Sequence, residues 1–125
     1  MARIMIVDDV AAIRQIVATI LTKKGHRVSE AASGEEALAI AALRRTHLVI
    51  TDVNMPNMDG ITLISKIRDV PNYKRTPVVV LANGAKDENV ARATEAGAVG
   101  WIPKPFTEES LVNAVNQVLV DFWVA

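Results

Sequence analysis

The stretch Leu48-Val49-Ile50-Thr51-Asp52 lies at the centre of the predicted fold. Its first four residues are typical of a buried strand, and a carboxylate follows them directly. A turn sequence comes next, Val53-Asn54-Met55-Pro56-Asn57-Met58-Asp59-Gly60. In an open parallel α/β sheet, ligands bind outside the carboxyl ends of the strands. The sequence therefore predicts that Asp52 is presented at the edge of a sheet where such folds carry out chemistry.

Outward from this stretch, apolar runs alternate with helical patterns along the whole chain. Strands are predicted at residues 3–7, 28–32, 47–51, 78–81 and 99–102, the second of them near an edge of the sheet. Each is followed by a helical pattern, and Ser33 with Glu36 forms a capping-box sequence at the start of the second helix. Five strand–helix units favour a doubly wound α/β fold, with right-handed crossovers and helices on both faces of a parallel sheet.

Length and composition limit the classes of function. The 125 residues fit one domain, residues 1–125, and the sequence suggests no attached output domain. With 14 basic and 14 acidic residues the formal charge is zero, so no broad nucleic-acid surface is expected. The absence of cysteine excludes disulfides and thiolate chemistry. No signal peptide or membrane-spanning run is evident, so we expect a cytoplasmic protein, monomeric and without a membrane partner.

Three acidic residues lie at predicted strand ends: Asp8 and Asp9 after the first strand, and Asp52 after the third. The ends of parallel strands share one edge of a sheet, so these carboxylates are expected to converge. Clustered carboxylates repel one another unless a cation or protons relieve them. Hard oxygen ligands of this kind suit Mg²⁺. The alternative is that Asp9 only caps the first helix, but the three strand-end acids together favour a metal site.

Lys104 follows the fifth predicted strand and precedes Pro105. X-Pro bonds are the usual location of cis peptides, and a cis bond here would direct the lysine back towards the strand ends. An ammonium beside three carboxylates can neutralise a phosphoryl oxygen as a point charge. These residues suit the transfer of a phosphoryl group to a carboxylate, with Asp52 as the acceptor.

The sequence resembles the receiver domains of bacterial response regulators, most closely the CheY-like, single-domain chemotaxis type. The resemblance rests on Val7-Asp8-Asp9, on Asp52 with the Met55–Gly60 turn, and on Lys104-Pro105-Phe106. It implies a flavodoxin-like three-layer sandwich. It also implies that Asp52 accepts the phosphoryl group, that Lys104 contacts it, and that Mg²⁺ is bound by Asp9, Asp52, the Asn54 carbonyl and, largely through water, Asp8.

One position departs from the family pattern. Receivers usually carry a Ser or Thr after the fourth strand, whose hydroxyl bonds the phosphoryl oxygen, whereas this chain has Ala82. Either the chain switches by another route, through Asn83 or the Ala82 and Asn83 amides, or its switch is damaged. Trp101 lies where receivers often place an aromatic switch residue. Asn54 and Gly84 occupy positions that tune loss of the phosphoryl group in this family.

Several functions follow from the resemblance. The first is a stand-alone response regulator, not an enzyme in its own right, that is phosphorylated by a sensor histidine kinase. Its output would be altered binding to a separate target protein, and the resemblance implies the flagellar motor switch in chemotaxis as that target. The alternatives are a phosphorelay shuttle and a phosphorylation-independent pseudo-receiver, supported by Ala82. A phosphatase that forms an aspartyl-phosphate is disfavoured because Asn54 replaces the second acid of the D-x-D motif.

Overall fold

The computed structural model describes residues 1–84 and 86–123. Ala85, within the loop that follows the fourth predicted strand, and Val124 and Ala125, at the end of the expected domain, lie outside the described residues. No helix in the described ranges combines the length and apolar character needed to cross a lipid bilayer.

The described residues form five strands and five helices that alternate along the chain. The strands are β1 (Arg3–Val7), β2 (Arg27–Ala31), β3 (Leu48–Asp52), β4 (Val78–Ala82) and β5 (Gly100–Pro103). The helices are α1 (Ala11–Lys23), α2 (Gly34–Leu43), α3 (Gly60–Ile67), α4 (Glu88–Ala96) and α5 (Glu108–Trp123). All the predicted strands and helices are confirmed. Most of the predicted strand ends differ by one residue from the observed ones.

All neighbouring strands are parallel, in the order β2-β1-β3-β4-β5. The β3 strand is therefore central, and the expected edge position of β2 is confirmed. The described residues of β3 and β4 are buried throughout, as continuous apolar runs in a parallel sheet predict. Asp52 is the last residue of β3, so its carboxylate stands at the carboxyl edge and its backbone still pairs in the sheet.

Alternating side chains divide the interior into two cores. On β1, Met5 and Val7 face the core beneath α2, α3 and α4, whereas Ile4 and Ile6 face the core beneath α1 and α5. Successive side chains of a strand point to opposite faces, so one strand supplies both cores. The result is a three-layer, doubly wound α/β domain, as the sequence predicted.

Side-chain caps place several helix starts at the carboxyl edge. The Ser33 hydroxyl accepts a hydrogen bond from the Glu36 amide at 3.1 Å, which confirms the predicted cap of α2. Asp59 and Asp87 cap α3 and α4 in the same manner. The hydroxyl of Thr107 accepts a hydrogen bond from the Ser110 amide at 3.0 Å in the first turn of α5. Such caps satisfy N–H groups that have no partner within the helix.

Candidate functional site: a cluster of carboxylates with one lysine

The carboxylate of Asp52 is held by two donors at the end of β3. Its Oδ1 accepts hydrogen bonds from the Val53 amide at 2.9 Å and from the Lys104 ammonium at 3.0 Å. No hydrogen bond reaches Oδ2 from the residues that the structure describes. Asp52 is 8% exposed, so one carboxylate oxygen is anchored within a largely buried side chain.

Asp8 and Asp9 lie next to Asp52, as the sequence predicted. Each of the three side chains contributes one carboxylate oxygen to a cluster, and these three oxygens lie within 4.8 Å of one another. Asp8 is buried, whereas Asp9 is exposed. Val10 occupies the N-cap position of α1 and the helix has no side-chain cap, so the alternative that Asp9 serves only as a helix cap is not supported.

Asp8 has the least favourable environment for a charged carboxylate in this cluster. Its Oδ1 accepts the Val10 amide at 2.9 Å, but its Oδ2 is buried and has no partner among the described residues. Burial raises the pKa of the Asp8 carboxyl, and the negative charges of Asp52 and Asp9 raise it further, against the Val10 hydrogen bond and the positive charge of Lys104. Such an oxygen is stabilised by a cation. The donor set therefore fits Mg²⁺, which prefers carboxylate oxygens and water.

Lys104 joins the cluster from β5, at the opposite side of Asp52 from β1. The Lys104-Pro105 bond is cis. The Lys104 amide donates to the Ala82 carbonyl at 2.7 Å, which ties the start of this turn to the end of β4. Lys104 and Asp52 also form an ion pair, with side chains 27% and 12% exposed. A single cation is therefore positioned against the central carboxylate.

The turn after Asp52 is held close to the strand it leaves. The Gly60 amide donates to the Val53 carbonyl at 2.8 Å, and Asn57 adopts a positive φ of 69°. A Cβ atom at Gly60 would overlap the carbonyl oxygen of Asp52, so only glycine fits without displacement. Asn54 is exposed at the start of this turn, next to the acidic cluster in the chain. The close approach of Gly60 to the backbone of Asp52 and Val53 thus helps to fix the position of Asp52 at the end of β3.

The residues predicted to report phosphorylation are arranged along β4 and β5. Ala82 is buried at 3% exposure, and Trp101 is half-buried against the core beneath α2, α3 and α4. Gly84 has a φ of 142°, and, apart from its neighbours in the chain, no described residue has an atom within 4 Å of the position that a Cβ would take. Asn83 is exposed, and its amide donates to Oδ2 of Asp87 at 3.1 Å. The Asn83 amide is therefore already bonded to a carboxylate.

Two residues at this edge were not singled out from the sequence. Arg14 donates to the carbonyl of Asp8 at 2.8 Å and forms an ion pair with Glu30 at 3.2 Å, so it braces the connection that carries Asp8 and Asp9. Asp87 holds the Asn83 amide. The position of Asp87 before a helical pattern could have indicated a cap, but nothing in the sequence indicates its second hydrogen bond.

The family model described as the response regulator receiver domain matches residues 4–116. The chain belongs to the response regulator receiver domain family. Receiver domains bind Mg²⁺ through acidic residues and interact with histidine kinases and downstream effectors. In this receiver the structure shows an acidic cluster formed by Asp8, Asp9 and Asp52.

The receiver is similar to both single-domain and longer proteins. It is 35% identical over 117 residues to the probable chemotaxis protein CheY of Rhizobium etli, covering 93% of this chain and 91% of that one. The structure of chemotaxis protein CheY4 of Vibrio cholerae is similar with a TM-score of 0.90 at 39% identity, covering 95% of this chain and 99% of that one. The fold is accordingly CheY-like.

The third relative is a longer protein. The receiver is 37% identical over 121 residues to the transcriptional regulatory protein PdtaR of Mycobacterium tuberculosis. The match covers 96% of this chain but only 58% of PdtaR. Receivers of this similarity therefore occur alone and as parts of longer chains.

Proposed function

We propose that this receiver accepts a phosphoryl group on Asp52 from a phosphohistidine of a sensor histidine kinase. The observation that carries the proposal is the convergence of three carboxylates within 4.8 Å on a central Asp52 that Lys104 contacts at 3.0 Å. The acceptor Asp52 thus comes from the end of β3, the acidic metal ligands Asp8 and Asp9 follow β1, and the positive charge of Lys104 follows β5. Phosphoryl transfer depends mainly on positioning and charge stabilisation, which this arrangement supplies.

The proposed step uses the oxygen of Asp52 that has no hydrogen bond from the described residues. Oδ2 attacks phosphorus, an O–P bond forms, and the P–N bond to the imidazole of the donor breaks. The imidazole nitrogen leaves with the electron pair of that bond and takes up a proton. Lys104 holds Oδ1 during the attack, so the carboxylate keeps one orientation. The positive charge of the Lys104 ammonium would also lie beside the oxygens of the transferred phosphoryl group.

Asp8, Asp9, Asp52 and the Asn54 backbone carbonyl would hold Mg²⁺ in this site. When bound, the ion neutralises charge on the transferring phosphoryl oxygens. The orphaned Oδ2 of Asp8 supports this assignment, because a buried anionic oxygen without a donor is costly. The exposed Asp9 supplies a carboxylate on the solvent side of the cluster. Asn54 and Gly84 leave the approach to Asp52 without a bulky covering side chain.

The output is a change in binding to a separate target protein, with chemotaxis as the proposed process. The relatives named as chemotaxis proteins support this choice. The target that we propose is the flagellar motor switch. We place the protein in the cytoplasm as a monomer that catalyses only its own phosphorylation and dephosphorylation. Ala82 favours a second candidate, a receiver that binds its partner without phosphorylation, because its methyl group cannot bond a phosphoryl oxygen.

Intact mass spectrometry distinguishes these candidates. The chain is incubated with Mg²⁺ and an acyl phosphate donor, beside the isosteric variant Asp52→Asn. A gain of one phosphoryl group on the parent only is the expected result. No gain, in a chain that still binds Mg²⁺, contradicts the acceptor role and supports the phosphorylation-independent receiver. A shuttle would pass the group on to a histidine of a second protein, and a phosphatase would turn over many donor molecules per chain.

A further inference from the structure

Asp87 connects two segments at the carboxyl edge of the sheet. Its Oδ1 accepts the Asn89 amide at 2.9 Å in the first turn of α4, and its Oδ2 accepts the Asn83 amide at 3.1 Å just after β4. The Asp87 amide also donates to the Gly84 carbonyl at 3.0 Å. One carboxylate therefore fixes both the exit from β4 and the entry to α4.

This carboxylate shares its electrostatic surroundings with the acceptor. The pKa of Asp87 is lowered by the Asn89 amide, then by the Asn83 amide, and additionally by the positive charge of Lys104. Lys104 is also the ammonium that bonds Asp52 at 3.0 Å. Lys104 therefore acts electrostatically on two carboxylates, that of Asp52 by direct contact and that of Asp87 through its charge.

The backbone brings Asn83 to the neighbourhood of Asp52 as well. Asp52 is the sheet partner of Leu81, and Asn83 follows two residues later, beyond the end of β4. Ala82, between them, has no hydroxyl to offer an anion at this strand end. The Asn83 amide is consequently the first donor beyond β4, and Asp87 already occupies it.

A phosphoryl group on Asp52 would compete directly with this arrangement. It adds between one and two negative charges and three strong acceptor oxygens. The added charge repels Asp87, attracts Lys104 and can take over the Asn83 amide. Like charges near one another in a partly buried site disfavour the state in which both are present.

We propose that Asp87 is a positioning residue that opposes retention of the phosphoryl group and transmits its arrival to α4. In the unphosphorylated chain its carboxylate holds the Asn83 amide. Phosphorylation displaces it from Asn83 and releases the connection between β4 and α4. This device acts through the carboxylate of Asp87 and does not need a hydroxyl at Ala82. The inference rests on the proposed phosphorylation of Asp52.

The variant Asp87→Asn separates capping from the second hydrogen bond. An asparagine has a single acceptor oxygen, which can cap Asn89, and its amide nitrogen cannot accept the Asn83 N–H. Asparagine is as good an N-cap as aspartate, so α4 should be retained. Glu88→Gln is the matched control, because it removes the same charge from the next residue. The side chain of Glu88 is exposed and makes no hydrogen bond with the described residues.

Beryllofluoride, which mimics a phosphoryl group, is titrated into each chain with Mg²⁺ while the Asn83 amide resonance is followed. Intact mass with the acyl phosphate donor is recorded in parallel. We expect Asp87→Asn to bind beryllofluoride about threefold to tenfold more tightly than the parent, since one anionic competitor is removed. Its phosphorylated form should also persist longer. Glu88→Gln should stay within about twofold of the parent, because an exposed charge without a partner contributes little.

The outcomes separate this inference from the proposed function. A parent chain that gains a phosphoryl group, with equal beryllofluoride affinity in Asp87→Asn, overturns only the role of Asp87. An equal gain in affinity for Glu88→Gln also overturns it, because a general charge effect would then be sufficient. A parent chain that neither gains mass nor binds beryllofluoride overturns the proposed function and this inference together.

Discussion

At the scale of single residues, Asp8 and Asp9 show how neighbouring side chains of the same type acquire different environments. Asp8 is fully buried with an oxygen that lacks a donor among the described residues, whereas Asp9 is exposed. Both side chains belong to the acidic cluster at the end of β1, but Asp8 lies on its buried side and Asp9 on its solvent side. A bound cation would offset the cost of the buried carboxylate.

Asp8→Asn is expected to stabilise the metal-free protein. An asparagine keeps an acceptor for the Val10 amide and replaces the orphaned oxygen by a donor. We expect the free energy of unfolding to rise by about 1–2 kcal/mol at pH 7 in a chelating buffer. The stabilisation of the parent by added Mg²⁺ should be much smaller in the variant. Urea denaturation of both chains, with and without Mg²⁺, measures both effects.

The pH dependence of this difference has a definite sign. Because burial raises the pKa of Asp8, the folded chain binds a proton more readily than the unfolded chain. The penalty is therefore absent below about pH 4, grows as the pH rises from the ordinary pKa of an aspartate to the raised pKa of Asp8, and stays constant above that. The stability advantage of Asp8→Asn over the parent should therefore shrink as the pH is lowered from the raised pKa of Asp8 towards about pH 4. An advantage that stays constant with pH would contradict this origin.

Gly60 and Gly34 provide a matched pair at the first positions of two helices. A Cβ at Gly60 would meet the backbone of Asp52 and Val53, whereas one at Gly34 would meet only the side chain of Met58. We expect Gly60→Ala to cost about 3 kcal/mol and to weaken Mg²⁺ binding, because Asp52 must move. Gly34→Ala should change stability by less than about 1 kcal/mol, since a methionine side chain adapts. Thermal unfolding and Mg²⁺ titration compare the two.

At the scale of elements, β1 and β2 carry an unfavourable pairing at their amino ends. Arg3 and Arg27 are directly opposite one another in the parallel register. Their guanidinium groups make no hydrogen bond or ion pair with any residue in the described ranges. They line a cavity of about 320 Å³ together with Arg44 and Arg45. Like charges directly opposite on neighbouring strands destabilise the pair.

Arg27→Gln is expected to stabilise the sheet edge. Removing one of the two facing charges should raise the free energy of unfolding by a few tenths of a kcal/mol, up to about 1 kcal/mol, at low ionic strength. The gain should decrease in high salt because screening already weakens the repulsion in the parent. The control Arg75→Gln removes an equal charge from an exposed loop. An equal gain in that variant would show a general charge effect instead.

At the scale of the whole molecule, the two ends of the sheet differ in the polar side chains that they carry. The carboxyl edge carries the acidic cluster, whereas the amino end is closed by the buried Tyr73. Its hydroxyl lies 2.6 Å from the Thr46 hydroxyl and donates to the Arg44 carbonyl at 2.6 Å. Burial raises the pKa of Tyr73, so the phenol remains a neutral donor. These contacts join the start of β3 to the loop that precedes β4.

Tyr73→Phe tests whether the two ends are independent. The substitution leaves the Thr46 hydroxyl and the Arg44 carbonyl without this partner, at an expected cost of about 1–3 kcal/mol. Mg²⁺ affinity and the rate of phosphorylation should be unchanged, because the strands separate the phenol from the site by their full length. Loss of Mg²⁺ affinity comparable to the loss of stability would show that the ends are coupled.

Much of this architecture was accessible from local sequence. The order of strands and helices follows from apolar runs and helical stripes, and Ser33 predicted the start of α2 because a cap acts within four residues. The meeting of Asp8, Asp9 and Asp52 followed from one rule, that parallel strands end at a shared edge. The bonding of Asp87 did not follow, because the partner of a loop carboxylate depends on the path of that loop.

The sequence by itself determined the α/β architecture and the carboxylates at the strand ends, because each depends on short-range chemistry or strand direction. Only the tertiary structure decided that Asp8 is buried without a donor, that Asp87 holds Asn83, and that Arg3 faces Arg27. These features depend on burial and register between segments that are distant in the chain. The contact of Lys104 with Asp52, 52 residues apart, was anticipated, but its 3.0 Å geometry exists only once the sheet has formed.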